Sequence, residues 1–274
     1  MGHQTSKNPE PSEIDRQSIE EATALAPRLI YEIIRREGEE EINRTARSLI
    51  WSGIAAGILI SFSVLGEAIF RTYLPDTPAR FLIENLGYSF GFLLVILGRM
   101  QLFTENTITT VLPGMAEPTR AMLGRITRLW IIVLSANIVG AFAAAALVAH
   151  TPAIPADLLP AITQLSEHAV GMDPWVSFWR AIPAGILVAA IVWTMPQVEG
   201  GGFFVIVAFT WLIAAGDFTH IVAGSVEMAF LVLTGSLGLQ GAVLGFFLPV
   251  FAGNVIGGTG IFALMVWGQV KEEV

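Results

Sequence analysis

From Leu129 to Ala149 the chain runs without a single charged side chain. A helix of that length crosses the hydrocarbon core of a bilayer, which takes about 20 apolar residues. Five more apolar units occur, at 48–70, 86–116, 175–195, 203–235 and 241–268. These runs constrain the fold most, because backbone N–H and C=O groups in lipid must find partners inside the protein. Hydrophobic residues make up 54% of the 274 positions and charged residues 14%, against about 25% charged in soluble domains. The chain reads as an all-α polytopic membrane protein with six transmembrane segments.

The flanks set its organisation. Residues 1–18 are polar, contain Pro9 and Pro11, and read as a disordered tail. The opening MGHQTS fits the loose myristoylation pattern at Gly2, but an arbitrary polar start is the simpler reading in a chain with its own spans. Ile19, Ala22, Ala26, Ile30, Ile33 and Ile34 follow helical spacing, predicting an amphipathic cytoplasmic helix over 19–47. Arg35, Arg36, Arg44 and Arg47 precede the first unit, Arg120, Arg125 and Arg128 follow the second, and Lys271 follows the sixth. The positive-inside rule puts these segments, both termini and the end 269–274 on the cytoplasmic side. The segment 150–174 has no Lys or Arg and is expected outside, with Arg71 and Arg80 as exceptions to the rule. Trp175, Trp179 and Trp267 read as interfacial anchors, and Arg180 as a side chain reaching the outer surface.

Several function classes drop out. With no cysteine there is no disulfide framework, thiol nucleophile or thiolate metal site. A formal charge of −8 argues against nucleic acid as a partner. No HExxH or GxSxG motif is present and the acids are scattered, so neither an enzyme nor a cofactor or metal site is expected.

Two of the apolar units are interrupted. QLFTENTITT (101–110) and GDFTHIVAGSVEM (216–228) put polar residues in mid-run. Other segments also recur in order: AAGILI (55–60) with PAGILV (183–188), LFTENT (102–107) with DFTHIV (217–222), and SANIVGAF (135–142) with AGNVIGGTG (252–260). This predicts two copies of a three-helix unit, at 48–149 and 175–268. An odd number of crossings turns the second copy upside down, so the repeats are inverted and their second and fifth helices broken. A break survives in a membrane only where protein or a water-filled cavity satisfies its backbone. Half-helix N-termini offer free N–H groups that suit an anion. Asn137 and Asn254 stand at matched positions and are expected, with Asp217, to support the breaks.

LFTENT, DFTHIVAGSVEM, RAIPAGILVAAIVW (180–193) and GNVIGG (253–258) together resemble the formate/nitrite transporter family over about residues 20–270. The resemblance implies a homopentamer in a bacterial inner membrane, each protomer with its own pore for a small anion such as formate or nitrite. It implies a constriction made by the two breaks, with Thr104 near His220 and with Phe103 and Phe218 as hydrophobic gates. Members usually carry a lysine in the outer approach, but this chain has none between Lys7 and Lys271, and His168 is the nearest basic group. Gly185 and Gly224 stand where the family usually has asparagines.

An ionisable group inside a span is a functional candidate. His220 could act protonated, pairing with an anion, or neutral, relaying a proton to it. Arg99, Glu105, Asp217 and Glu227 would each cost roughly 2.5–3.5 kcal/mol at a lipid-facing helix centre. They are expected to line the pathway or to cement the breaks in pairs, Arg99 with Glu105 or Glu227. The leading expectation is a channel or proton-coupled carrier for a small monovalent anion. A pore for a small neutral solute and a transport-inactive membrane scaffold remain as alternatives.

Overall fold

The computed structural model describes residues 24–198 and 200–273. The tail expected at 1–18 and the helix start expected at Ile19 lie outside these residues. Among the described residues all regular structure is helical.

Helix α1 (Pro27–Asn43) begins with proline at its first position, where a missing N–H costs nothing. Ile30, Tyr31, Ile34 and Ile42 form its buried face, and the opposite side carries charge. Arg35 and Arg36 grip Glu32 there and hold its carboxyl down to about 2. Thr45 then accepts a hydrogen bond from the Ser48 N–H at 3.3 Å and starts α2 (Ala46–Leu59). α3 (Ser61–Tyr73) continues α2 after a bend at Ile60. α4 (Pro78–Glu84) and α5 (Ser89–Leu97) lead to the first break, which is followed by α6 (Phe103–Thr109) and α7 (Val111–Ala116). Thr119 caps α8 (Arg120–His150) by accepting from the Met122 N–H at 3.1 Å.

The connection 150–174 contains α9 (Leu159–Val170). Asp173 caps α10 (Pro174–Thr194), accepting from the Trp175 N–H at 2.9 Å. α11 (Gly202–Ala215) and α12 (Ile221–Leu233) flank the second break. α13 (Gly241–Val270) closes the described chain as one helical run with two π-helical stretches. Among the described residues five runs are long and apolar enough to cross a membrane: Ala46–Tyr73, Pro78–Leu97, Arg120–His150, Pro174–Gln197 and Gly241–Val270. α11 and α12 are shorter because the break divides them.

The two halves pack alike. A Cβ at Gly57 of α2 would lie 2.1 Å from the Asn137 carbonyl oxygen of α8. A Cβ at Gly185 of α10 would lie 2.3 Å from the Asn254 carbonyl oxygen of α13. Glycine at both positions lets helix backbones touch, the approach that replaces hydrophobic driving force in lipid. Gly185 is therefore a packing contact with no room for an asparagine. Large apolar side chains such as Trp51 (66%) and Phe204 (73%) stay exposed. They need lipid or a neighbouring protein as cover.

Candidate functional site

Both breaks are built the same way. At the end of α5 the N–H of Arg99 bonds the Ile96 carbonyl at 3.0 Å and that of Met100 the Val95 carbonyl at 2.9 Å. At the end of α11 Asp217 bonds Ala214 and Phe218 bonds Ile213, both at 2.9 Å. These are two Schellman closures, each needing a left-handed residue. Arg99 (φ 50°) and Asp217 (φ 55°) fill that position, where glycine is usual. Two residues without regular structure then carry the chain into Leu102 and His220, which are extended and precede α6 and α12.

The asparagines close each frame. Asn137 accepts from the Phe103 N–H at 2.9 Å and donates to the Gln101 and Gly53 carbonyls, both at 2.8 Å. Asn254 accepts from the Ile221 N–H at 2.8 Å and donates to the Thr219 carbonyl at 3.0 Å and the Ala181 carbonyl at 2.8 Å. One side chain thus satisfies both chain ends that a broken helix exposes. The repeat register differs from the one the letters suggest. Phe103 corresponds to Ile221, Leu102 to His220 and Met100 to Phe218, a slip of three residues. The shared Phe-Thr letters hide it.

His220 and Thr104 meet across the two breaks. The His220 Nε2 lies 2.8 Å from the Thr104 Oγ1, and both residues are buried. The His220 Nδ1 accepts the Ala223 N–H at 3.2 Å and so caps α12. A backbone N–H can only donate, so Nδ1 must be the acceptor and the neutral ring carries its proton on Nε2. Nε2–H then donates to the Thr104 hydroxyl, leaving the hydroxyl hydrogen to point elsewhere. The Phe92 ring stands edge-on to the imidazole at 5.1 Å.

Cavities lie on either side of this contact. One, of about 480 Å³, reaches His220 and is lined by Glu67, Tyr88, Phe218, Phe246 and Glu227 among others. The other, of about 340 Å³, reaches Gln101, Glu105 and Asn106, the neighbours of Thr104. A Cβ at Gly224 would lie 2.3 Å from the Phe246 ring, which fills the slot where the resemblance puts an asparagine.

The charges sort into pairs and leftovers. Glu84 binds Arg71 at 2.6 Å and Arg80 at 3.6 Å. Asp217 binds Arg180 and also His168 at 2.9 Å. Arg180 thus pairs at the second break with its side chain 40% exposed. Arg99 pairs with Glu37 at 3.3 Å, with its side chain 80% exposed. It meets neither Glu105 nor Glu227, because its left-handed backbone sends the side chain towards α1. Glu41 takes hydrogen bonds from Gln101 at 2.7 Å and Arg44 at 3.0 Å. A buried oxygen of Glu105 has no partner among the described residues.

Phe103 lines neither cavity. It is fully buried between Trp130 (5.4 Å) and Phe251 (5.6 Å). The sequence motifs also pass over Glu67, Tyr88, Phe92 and Phe246. Glu67 has a signal, an acid inside the first apolar run. The three aromatic residues have none, since they resemble any other apolar residue of a span. Among the described residues no group of three or more His, Asp or Glu side chains could hold a metal ion.

The model of the formate/nitrite transporter family matches residues 28–268. The chain belongs to the formate/nitrite transporter family. That membership places it among transporters rather than enzymes. It is 44% identical over 245 residues to the inner membrane protein YfdC of Escherichia coli (strain K12), covering 89% of this chain and 79% of that one. It is 24% identical over 269 residues to the formate channel FocA of Haemophilus influenzae (strain ATCC 51907 / DSM 11121 / KW20 / Rd), covering 86% and 92%. Among solved structures, a pentameric formate channel with formate bound superposes with a TM-score of 0.72 at 21% identity, covering 83% of this chain and 98% of that one. An FNT family ion channel superposes with a TM-score of 0.74 at 18% identity, covering 88% and 98%. These likenesses give the fold.

Proposed function

We propose that the protein is a channel for a small monovalent anion such as formate or nitrite, in a bacterial inner membrane. Five copies assemble, each with its own pathway. Each protomer crosses the membrane six times with both termini in the cytoplasm, so the His220 cavity opens outward and the Glu105 cavity inward. The carrying observation is the 2.8 Å contact between His220 Nε2 and Thr104 Oγ1, which joins the two helix breaks between the cavities.

The chemistry follows from donor counting. Nδ1 is occupied by the Ala223 N–H, Nε2–H points at Thr104, and the free donor at the end of this chain is the Thr104 hydroxyl. A hydrogen bond to an anion is stronger than one between neutral groups. A passing anion therefore takes the Thr104 hydroxyl, which His220 polarises from behind. A proton relay through the ring would have to release the Ala223 cap, so hydrogen-bond donation suits this geometry better than proton coupling. Phe92 stands against the imidazole, and Phe218 and Phe246 line the cavity that reaches it.

The test is flux into proteoliposomes, formate against glycerol, at about pH 5.5 and about pH 7.5, on either side of the ordinary histidine range. Formate should enter, and Thr104→Val and His220→Ala should each slow it at least about tenfold, the worth of one lost charge-assisted hydrogen bond. Glycerol entry without formate entry would replace this reading with a neutral-solute pore. Entry of neither would favour the scaffold role.

A further inference from the structure

The His220 cavity holds two carboxyl groups that the anion pathway does not use. Glu67 is 6% exposed and Glu227 7% exposed, and both line the cavity. Among the described residues neither makes a hydrogen bond or ion pair. The cations near them are committed elsewhere, Arg71 and Arg80 to Glu84, and Arg180 and His168 to Asp217. The two carboxyls share the wall of the same cavity.

An independent feature lies in the same wall. Tyr88 is 8% exposed and lines the cavity, and its hydroxyl has no partner among the described residues. Buried carboxylates and hydroxyls in native proteins are normally satisfied. These three oxygen-bearing side chains open onto one cavity without a protein partner, a set of acceptors that suits a ligand rich in N–H donors. Phe81, Phe218 and Phe246 complete the wall and offer rings to a cation. The described residues provide no three-ligand group for a metal. A volume of about 480 Å³ admits a molecule of several carbon atoms.

We propose that this cavity is a binding site for a small organic ammonium ion, held by the carboxylates of Glu67 and Glu227 and the hydroxyl of Tyr88. The ammonium N–H groups satisfy the three oxygens, its charge offsets the acids, and its alkyl part packs on the phenylalanines. An occupant would sit over His220 and obstruct formate entry from that side. The binding itself does not depend on the anion reading.

The experiment is calorimetric titration of the purified full-length protein with propylammonium chloride at neutral pH. Sodium chloride serves as the ionic control and 1-butanol as the uncharged control. Propylammonium should bind saturably and neither control should. Glu67→Gln with Glu227→Gln keeps the shape and should weaken binding at least about tenfold, about 1.4 kcal/mol. Tyr88→Phe should weaken it about threefold, and Glu117→Gln, at an exposed position, should leave it unchanged. No saturable binding, or equal binding by the double variant, overturns the proposal and leaves the two carboxyls as a protonated pair. Formate flux measured alongside keeps the two readings apart. Binding without flux sinks the anion channel alone, and flux without binding sinks this site alone.

Discussion

Arg99 and Asp217 hold the same left-handed turn, Leu102 and His220 stand at the same helix start, and Asn137 and Asn254 tie the same backbone atoms. Around this shared frame the side chains diverge. Arg99 reaches out to Glu37 on α1, while Asp217 turns to Arg180 and His168. Leu102 brings no titratable group, while His220 caps its own helix and reaches Thr104 of the other half. The backbone needs of a broken helix are identical in both copies, so their support is duplicated. The chemistry needs only one imidazole between two unlike cavities, so the side chains were free to differ.

The largest expected effect probes the shared frame. Asn137→Ala and Asn254→Ala each leave a buried N–H and the carbonyl of Gln101 or Thr219 unpaired, which costs roughly 3 kcal/mol. Thermal unfolding in detergent should show similar losses for both. A loss at one site alone would break the equivalence of the halves. Next come Gly57→Ala and Gly185→Ala, each forcing a methyl against a carbonyl oxygen. Each should destabilise by about 2 kcal/mol, and a tolerated change at either would show that its half is the looser one.

The left-handed turns should answer with opposite signs. Arg99→Gly relieves a strained φ and gives up one exposed ion pair, for a net gain of about 1 kcal/mol. Asp217→Gly relieves the same φ but abandons Arg180 and His168, for a net loss of about 1 kcal/mol. Equal signs would mean that the Asp217 contacts contribute nothing. The smallest effect concerns α1, which has no counterpart in the second half. Arginine contacts hold Glu32 down to about 2, below the ordinary glutamate range. Its contribution to α1 is complete above about pH 4.5 and is lost as pH falls towards 2. Hydrogen exchange over residues 27–43 should speed up in that window, and Glu32→Gln should remove the pH dependence.

Much of this protein is legible in its amino-acid sequence. The apolar runs, the two interruptions and the asparagine pair stand in the letters, and the His220–Thr104 pairing is what the family resemblance implies. Hydropathy belongs to each residue, and lipid allows few backbone solutions, so composition alone determines a bundle of long helices with breaks at the polar stretches. The letters put LFTENT and DFTHIV three residues out of register, because the left-handed turns at Arg99 and Asp217 carry no glycine to mark them. Phe103, expected as a gate, is packed between Trp130 and Phe251. Arg99, expected to meet Glu105 or Glu227, meets Glu37. The unpaired carboxyls of Glu67 and Glu227 appear only when their neighbours have paired off. Tertiary structure decided these points because the direction of a side chain depends on the backbone turn beneath it. Whether a charge is partnered depends on helices far away in sequence.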